Sequence, residues 1–311
     1  MPSVSVVIPT LNGGPLFAQV LDALRKQQVT EPLEILVIDS GSTDDTVSAA
    51  KAAGAKVVEI EPSTFDHGLT RNKGIELSTG ELVILMTQDA LPADEHMIGG
   101  LIGAFDDPQV AGAFARQIPR PEHDVLVARN INNWIAGSCE RRISQITDRA
   151  AYEAMHPMER YLLCVFDNVC SAVRRSVWQL IPFRQNAFGE DVDWSKRTLE
   201  EGWKIVYEPM AKVIHSHDRP ARYEYKRTYM CHQTLSRLFD LATIPAASYV
   251  PRCLLTSMAN DWAYVWRNEQ DWTRRWSLLA RVPLLSWGSV LGQYRGARDQ
   301  RRGKLKRIAG V

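Results

Sequence analysis

The sequence predicts an α/β protein with a mostly parallel central sheet flanked by helices and a helical appendage at its C-terminal end. Three observations support this. Short apolar, β-branched runs alternate with helical segments of about a dozen residues, which implies right-handed βαβ units. Polar clusters follow successive apolar runs. After residue 220 the pattern changes to long helical stretches rich in Trp, Arg and Leu. We therefore predict a catalytic domain over residues 1–220 and a basic, Trp-rich helical region over residues 221–311.

The first part of the chain contains four predicted strands that suit burial on both faces. They are Ser3–Ile8, Leu33–Ile38, Lys56–Ile60 and Leu82–Met86. Three helices separate them. The first opens at Gly13-Gly14-Pro15, the second has Ser42 or Thr43 as its N-cap, and the third is Leu69–Leu77.

The second part of the chain is less regular, above all between Arg120 and Glu159. Helices are predicted at Asp94–Phe105, Ser176–Leu180 and Val192–Glu201. Extended segments are predicted at Val110–Ala115, Asn168–Val173, Lys204–Tyr207 and Lys212–His217.

Polar clusters at successive strand ends predict a ligand site, because ligands of parallel sheets bind at the carboxyl ends of the strands. The clusters begin at Thr10, Asp39, Phe65 and Thr87. No GxGxxG follows the first strand and no GxxxxGK[ST] occurs, which argues against dinucleotide-binding and P-loop sites.

Composition restricts the function further. A net charge of +1 argues against a globally basic nucleic-acid binder, although residues 274–307 carry ten Arg or Lys and one acid, Asp299. Five cysteines without a CxxC pair indicate reduced thiols and a cytosolic protein. Neither a signal peptide nor a bilayer-spanning run is expected.

Four motifs in this order resemble family-2 inverting glycosyltransferases of the GT-A fold: VSVVIPTLN, EILVIDSGSTDDT, LVILMTQDALP, and FGEDVDW with the later VIHSHD. The resemblance covers residues 3–217. The Phe-Asp-His-Gly and Arg-Asn cluster, together with TQDA, is similar to bacterial rhamnosyltransferases that use dTDP-L-rhamnose. This resemblance implies transfer of L-rhamnose to a sugar hydroxyl of a surface-polysaccharide precursor.

The resemblance also implies the donor site. Asp39 would contact the pyrimidine, although its DSGS context also suits a turn. Arg71 would contact the pyrimidine or a phosphate, and Phe65 would complement the methyl group of a deoxysugar unless it is core. The implied nucleotide and donor-binding residues are Pro9, Thr10, Asn12, Asp39, Ser40, Ser42, Phe65, Asp66, His67, Gly68, Arg71, Asn72, Gln88 and Asp89.

A divalent cation, Mg²⁺ or Mn²⁺, is implied at Asp89, where Gln88 replaces one carboxylate of the family's acidic motif. His215 and His217 are the further candidate ligands. Their alternation on a strand predicts opposite faces, so that only one binds metal. The resemblance favours His215 and leaves His217 as a loop or phosphate contact. A structural histidine or strand-end aspartate is the alternative.

Asp191 matches the family's general base, and Glu190 would orient the acceptor or the loop. Both residues also suit the first turn of a helix, where a carboxylate is expected to stay ionised. Trp194, three residues later, is expected to line the acceptor pocket.

The C-terminal region combines Trp and Arg, which is typical of interfacial helices on anionic membranes. Peripheral attachment to the inner face of the cytoplasmic membrane, where a lipid-linked glycan is presented, is one interpretation. Packing on the catalytic domain or on a second subunit of a homodimer is the other.

Three alternatives remain. A UDP-hexose or UDP-N-acetylhexosamine donor keeps the reaction class. A nucleotidyltransferase is disfavoured, because it would need a Lys or Arg in the loop after the first strand. The first basic residue after Gly13-Gly14-Pro15 is Arg25. A non-catalytic membrane-binding protein would explain the reduced metal motif.

Overall fold

A computed structural model describes residues 3–30, 33–218 and 220–304. Arg219 at the predicted domain boundary, and Lys306 and Arg307 of the basic tail, lie outside the described residues. The strands are β1 Val4–Thr10, β2 Glu34–Asp39, β3 Lys56–Glu59, β4 Leu82–Met86, β5 Leu91–Pro92, β6 Val110–Ile118, β7 Arg142–Ser144, β8 Cys170–Arg174 and β9 Lys204–Ile214.

Helices cover both faces of the sheet and form the C-terminal region. They are α1 Gly14–Arg25, α2 Thr46–Ala52, α3 His67–Leu77, α4 Met97–Gly103, α5 Val125–Asn132, α6 Arg149–Ala154, α7 Pro157–Leu163, α8 Arg175–Leu180, α9 Glu190–Glu200, α10 Ala221–Phe239, α11 Val250–Asn268 and α12 Trp272–Arg301.

The strands form one mixed sheet in the order β3-β2-β1-β4-β8-β6-β9-β5, with β7 paired to β9. The first four strands in this order are parallel, as predicted. Strand β8 is antiparallel to both β4 and β6, so the sheet is less uniformly parallel than the alternating pattern suggests. The start of β8 therefore lies at the same edge as the ends of its two neighbours.

The two extended runs predicted at 204–207 and 212–217 belong to one strand, β9, which ends at Ile214. Its pairing with β6 shifts register, because Ala115 pairs with Glu208 and Arg116 pairs with Lys212. The extra residues of β9 are accommodated at this irregularity. His215 and His217 follow the strand instead of lying within it.

The C-terminal region packs on the rest of the chain. Leu235 and Phe239 of α10 are buried in one of the two cores beside the sheet, and Thr234 Oγ1 donates to the carbonyl of Phe188 at 2.9 Å. Packing on the preceding part of the chain, one of the two interpretations of this region, is thus observed. The described part of the chain contains no helix that is both long enough and apolar enough to cross a membrane.

Helix α12 approaches α10 through glycines spaced four residues apart. A Cβ atom at Gly292 would lie 2.9 Å from the carbonyl oxygen of Tyr225, and one at Gly296 would lie 2.2 Å from that of Tyr229. Real Cβ atoms do not come that close to backbone, so the glycines set the distance between the two helices. Residues four apart share one helix face, which explains the spacing.

We predict that Gly296→Ala destabilises the protein, because its new Cβ would meet immobile backbone. The expected loss in free energy of unfolding is about 1–3 kcal/mol, typical of overpacking, and urea unfolding measures it. Gly99→Ala in α4 is the control, since its Cβ meets nothing within 4 Å. This control should be neutral or stabilising by up to about 1 kcal/mol. Equal free energies for both variants would contradict the account.

Candidate active site

Asp39, at the end of β2, organises the first loop of the site. Its carboxylate accepts hydrogen bonds from Thr10 Oγ1 at 2.9 Å, from Ser42 Oγ at 2.5 Å and from the backbone N–H groups of Gly41 and Ser42. Ser40 Oγ donates to the carbonyl of Thr10 at 2.9 Å. Asp39 therefore stabilises the turn that its DSGS context suggests. Its contact with a pyrimidine stays a prediction.

Gln88 joins this loop to the end of β4. Its side-chain oxygen accepts from the N–H of Leu11 at 2.8 Å, and its nitrogen donates to the Leu11 carbonyl at 3.1 Å. A carboxylate could not make the second bond, since it only accepts. Gln88 therefore fixes the loop after β1. In the same loop Asn12 has φ 49°, and its side chain accepts from the Thr43 N–H at 2.8 Å. Pro9 lies in β1, where it pairs with Ile38 of β2.

Three predicted metal ligands come together. Asp89 Oδ2 lies 3.7 Å from His215 Nε2 and 3.4 Å from His217 Nε2, and candidate ligand atoms of all three lie within 4.8 Å of one another. The prediction that the histidines point to opposite faces is wrong. Side chains alternate only within a strand, and β9 ends at Ile214. We call Asp89, His215 and His217 the metal triad.

Gln117, on β6, orients His215. Its side-chain oxygen lies 3.0 Å from His215 Nδ1, and its nitrogen donates to Asp167 at 2.5 Å. An amide oxygen can only accept, so Nδ1 carries the proton and the Nε2 lone pair faces Asp89. One carboxylate and two imidazoles are ligands that suit a divalent transition metal such as Mn²⁺. The residues present therefore fit a metal ion.

Glu190 begins α9 and is buried against a cation. Its Oε1 lies 2.6 Å from Arg71 Nη1, and both side chains are at most 8% exposed. Asn168 Nδ2 donates to the same oxygen at 3.4 Å. Burial acts to raise the pKa of Glu190, but the guanidinium of Arg71, His67 and the hydrogen bonds to the carboxylate together outweigh it and hold the pKa below its ordinary value. Glu190 is thus a fixed negative charge.

Asp191, the predicted base, follows directly. One carboxylate oxygen accepts from the N–H of Val192 at 2.7 Å, and the other from that of Asn168 at 3.5 Å. Burial, then the charge of Glu190, then that of Asp167 raise the pKa of Asp191 well above its ordinary value. The helix N-terminus was expected to favour the ionised form, but burial and the two neighbouring carboxylates act in the opposite direction.

The Phe65–Gly68 segment leads into α3. Asp66 is 3% exposed and caps the helix by accepting from the N–H of Gly68 at 3.0 Å. A Cβ atom at Gly68 would lie 2.5 Å from the carbonyl oxygen of Arg184, so only glycine fits this close approach. The rings of Phe65 and His67 meet edge to face with centroids 4.9 Å apart, and both are partly exposed. They are the side chains of this segment best placed to meet a ligand.

Three predicted ligand contacts are contradicted. Arg71 is 3% exposed and committed to Glu190, so it does not face a nucleotide. The Asn72 carboxamide accepts from the N–H of Phe183 at 3.1 Å and donates to its carbonyl at 2.8 Å. Trp194 is fully buried in the core, so its side chain presents no surface to an acceptor. Arg71 and Asn72 lie on the inner face of α3, where they hold the 183–190 segment.

Four residues of the site were missed: Gln117, Arg120, Asp167 and Asn168. Arg120 donates to the carbonyl of Asp89 at 2.6 Å. Asp167 and Asn168 form a polar pair between an apolar run and β8, which is a detectable signal. In a wholly parallel sheet that position would lie at the edge away from the ligand, so the pair has a role only because β8 is antiparallel.

Comparison with known proteins finds a glycosyltransferase family model and similar glycosyltransferases. Residues 5–180 match the family model Glycosyl transferase family 2. The O-antigen chain rhamnosyltransferase RfbN of Salmonella typhimurium is 31% identical, over 84% of this chain and 88% of its own. The N-acetylglucosaminyl-diphospho-decaprenol L-rhamnosyltransferase of Mycobacterium tuberculosis is 27% identical, over 98% and 97%.

Among solved structures, the mannosyltransferase PcManGT from Pyrobaculum calidifontis, in complex with GDP-Man and Mn²⁺, superposes with a TM-score of 0.59. It is 20% identical, and the alignment covers 98% of this chain and 88% of that one. At this level of identity the likeness establishes the fold alone.

We predict that Arg71→Met destabilises the protein by about 3–5 kcal/mol, because it leaves the carboxylate of Glu190 buried without a counter-charge. Urea unfolding measures the loss. Arg25→Met, at an exposed position of α1, is the matched control and should change stability by less than about 0.5 kcal/mol. Adding Glu190→Gln to Arg71→Met should restore part of the loss. Equal effects of the two arginine substitutions would refute the role of the pair.

Proposed function

Because the chain belongs to glycosyl transferase family 2, we propose that it transfers L-rhamnose from dTDP-L-rhamnose to a sugar hydroxyl of a bacterial surface-polysaccharide precursor. Family membership confirms the resemblance seen in the motifs, and the GT-A fold is confirmed as well. The similarity to rhamnosyltransferases over most of the chain supports the sugar. The observation that carries the proposal is the position of the metal triad near the Glu190–Asp191 pair. Gln117 contacts His215 and donates to Asp167. The charge of Asp167 in turn raises the pKa of Asp191.

In this proposal Asp191 is the general base. It accepts the proton of the acceptor hydroxyl as the oxygen attacks the anomeric carbon, so displacement is direct and the configuration inverts. A base works best when its pKa is near the working pH, since it then both ionises and binds the proton well. The charges of Glu190 and Asp167 raise the pKa of Asp191 in that direction.

Asp89, His215 and His217 would hold Mn²⁺ or Mg²⁺. Such an ion neutralises the negative charge that develops on a departing nucleoside diphosphate. With two imidazoles in the set Mn²⁺ is the better match, because Mg²⁺ prefers oxygen ligands. Gln117 keeps the Nε2 lone pair of His215 directed into the site.

We assign the choice of donor sugar to the Phe65–Gly68 segment. The ring of Phe65 offers an apolar surface to the methyl group of a 6-deoxysugar, and His67 beside it offers a hydrogen bond. Thr10, Asn12, Asp39, Ser40 and Ser42 at the ends of β1 and β2 are the proposed nucleotide side of the site. A UDP-hexose or UDP-N-acetylhexosamine donor is the alternative.

The proposed acceptor is lipid-linked, in line with the mycobacterial relative, whose name specifies a diphospho-decaprenol acceptor. The enzyme would then act in the cytoplasm, as a peripheral protein on the inner face of the membrane. We propose residues 1–220 as the catalytic domain and residues 221–311 as the region that contacts the membrane. A homodimer formed through residues 221–311 is the alternative.

The first test of this mechanism is a pH profile. Hydrolysis of dTDP-L-rhamnose, in which water replaces the acceptor, should speed up as pH rises through the pKa of Asp191, because only the carboxylate accepts a proton. Asp167→Asn removes a negative charge that raises this pKa, so the acid limb of kcat/KM should move to lower pH. Asp22→Asn, at an exposed position of α1, should leave the limb in place. An unchanged or upward-shifted limb in Asp167→Asn would exclude Asp191 as the base.

The second test is donor recognition. Thermal unfolding of the wild type is measured with Mn²⁺ and a panel of nucleotide sugars, since a ligand that binds only the folded state raises Tm. We expect dTDP-L-rhamnose to raise Tm in the presence of Mn²⁺. Asp89→Ala should abolish the part of this rise in Tm that depends on Mn²⁺. Stabilisation by UDP sugars alone would overturn the donor assignment.

A further inference from the structure

Helices α11 and α12 expose a row of large apolar side chains. Each of these side chains is between 38% and 68% exposed, although most residues of this size are buried elsewhere in the chain. Their spacings of three, four, seven or eight residues, about one or two helical turns, place them on one side of each helix. We call them the apolar face: Leu255, Trp262 and Trp266 of α11, and Trp272, Trp276, Leu284 and Trp287 of α12.

The apolar face crosses from α11 to α12 through its tryptophans. The rings of Trp266 and Trp276, one from each helix, lie with centroids 6.1 Å apart, and those of Trp272 and Trp276 lie 5.5 Å apart. Trp262 Nε1 donates to the carbonyl of Leu279 at 2.9 Å, which holds the helices together at their centre. Along α11 the face is about 17 Å long, from the helical rise per residue. Contiguous exposed apolar surface of this kind marks an interaction site.

The charges around the face are mainly positive. Arg252 and Arg267 are exposed on α11, the helix that carries Leu255, Trp262 and Trp266. The guanidinium of Arg275 lies over the rings of Trp266 and Trp272, at 5.3 and 5.7 Å from their centroids. The face therefore combines indole rings with cations that remain in contact with water.

The acidic residues of these helices offset that charge only in part. Asp261 pairs with Arg129 of α5 at 2.6 Å. Glu269 is buried. Asp271 accepts from the N–H of Arg274 at 2.7 Å as the N-cap of α12.

We infer that the apolar face docks on the surface of an anionic lipid bilayer. Tryptophan suits the boundary between headgroups and acyl chains, because its ring is apolar and its N–H is polar. Each arginine near anionic headgroups adds electrostatic attraction. A second copy of the chain is a poorer occupant, since a two-fold interface would bring the arginines of both copies together.

Docking on this face would position the active site. A cavity of about 390 Å³ lies between α12 and the segments around residues 122 and 218, and Arg274, Leu278 and Arg281 line it. His123 lies on the opposite wall of this cavity. Its Nδ1 atom is 2.5 Å from Oγ of Ser216, the residue between the two histidines of the metal triad. Helix α12 thus carries the apolar face and also borders a cavity beside the metal triad. This consequence rests on the proposed function, because it requires a lipid-linked acceptor. The docking itself does not.

Vesicle flotation tests the inference without any nucleotide or acceptor. The full chain is mixed with vesicles of phosphatidylcholine, or of phosphatidylcholine containing about a quarter phosphatidylglycerol. We expect flotation with the anionic vesicles that weakens at high salt. Trp266→Gln with Trp276→Gln should reduce the partition coefficient by about tenfold or more, because two half-buried rings no longer insert. Arg252→Gln with Arg267→Gln should reduce the preference for anionic over neutral vesicles.

The matched control is Leu180→Gln with Met210→Gln, which removes two exposed apolar side chains of the catalytic part, 73% and 64% exposed. It should float like the wild type, and equal Tm values establish that all variants are folded. Absence of the wild type from anionic vesicles, or equal flotation of the tryptophan variant, would overturn the inference. A solution dimer abolished by the tryptophan substitutions would also overturn it. The rise in Tm caused by the donor is measured without vesicles. Failure of the proposed function can therefore be distinguished from failure of membrane docking.

Discussion

The buried ion pair between Arg71 and Glu190 is the contact on which the arrangement of the site depends. It joins α3 to the first turn of α9, two elements more than a hundred residues apart in the chain. Replacing a buried pair by apolar side chains is often neutral for stability, whereas removing one partner is costly, so the pair specifies an arrangement more than it stabilises one. Here it keeps Glu190 ionised beside Asp191. Burial first, and then the charge of Glu190, raises the pKa of Asp191, the proposed base.

The reversed direction of β8 gives the site its second half. Because β8 runs antiparallel to β4 and β6, Asp167 and Asn168 arrive at the edge where the parallel strands end. Asn168 contacts both carboxyl groups of the 190–191 pair. Asp167 accepts from Gln117, which in turn orients His215. Asp167 and Asn168, neighbours in the chain, thus connect one to the metal triad and the other to the Glu190–Asp191 pair.

Much of this could be predicted from sequence, because the relevant signals are local. Apolar runs that end in polar clusters located β1, β2 and β4 and placed Asp39 and Asp89 at the ligand edge. The motifs identified Asp191 and both histidines. The errors came from contacts between distant segments. Nothing around Arg71 indicates that its partner is Glu190, and Trp194 shares a helix with Asp191 but belongs to the core. Periodicity also gives no warning of where a strand ends, which is why the two histidines were assigned to opposite faces.

The most direct measurement of the central claim is a crystal structure of the chain with dTDP and Mn²⁺. The account predicts one Mn²⁺ bound by Asp89, His215 and His217 and by diphosphate oxygens, at distances of about 2.0–2.3 Å. It also predicts the thymine base against the turn at Asp39, and the Asp191 carboxyl open to the space beyond the diphosphate. A metal bound without the histidines, or a nucleotide seated away from the ends of β1 and β2, would contradict it.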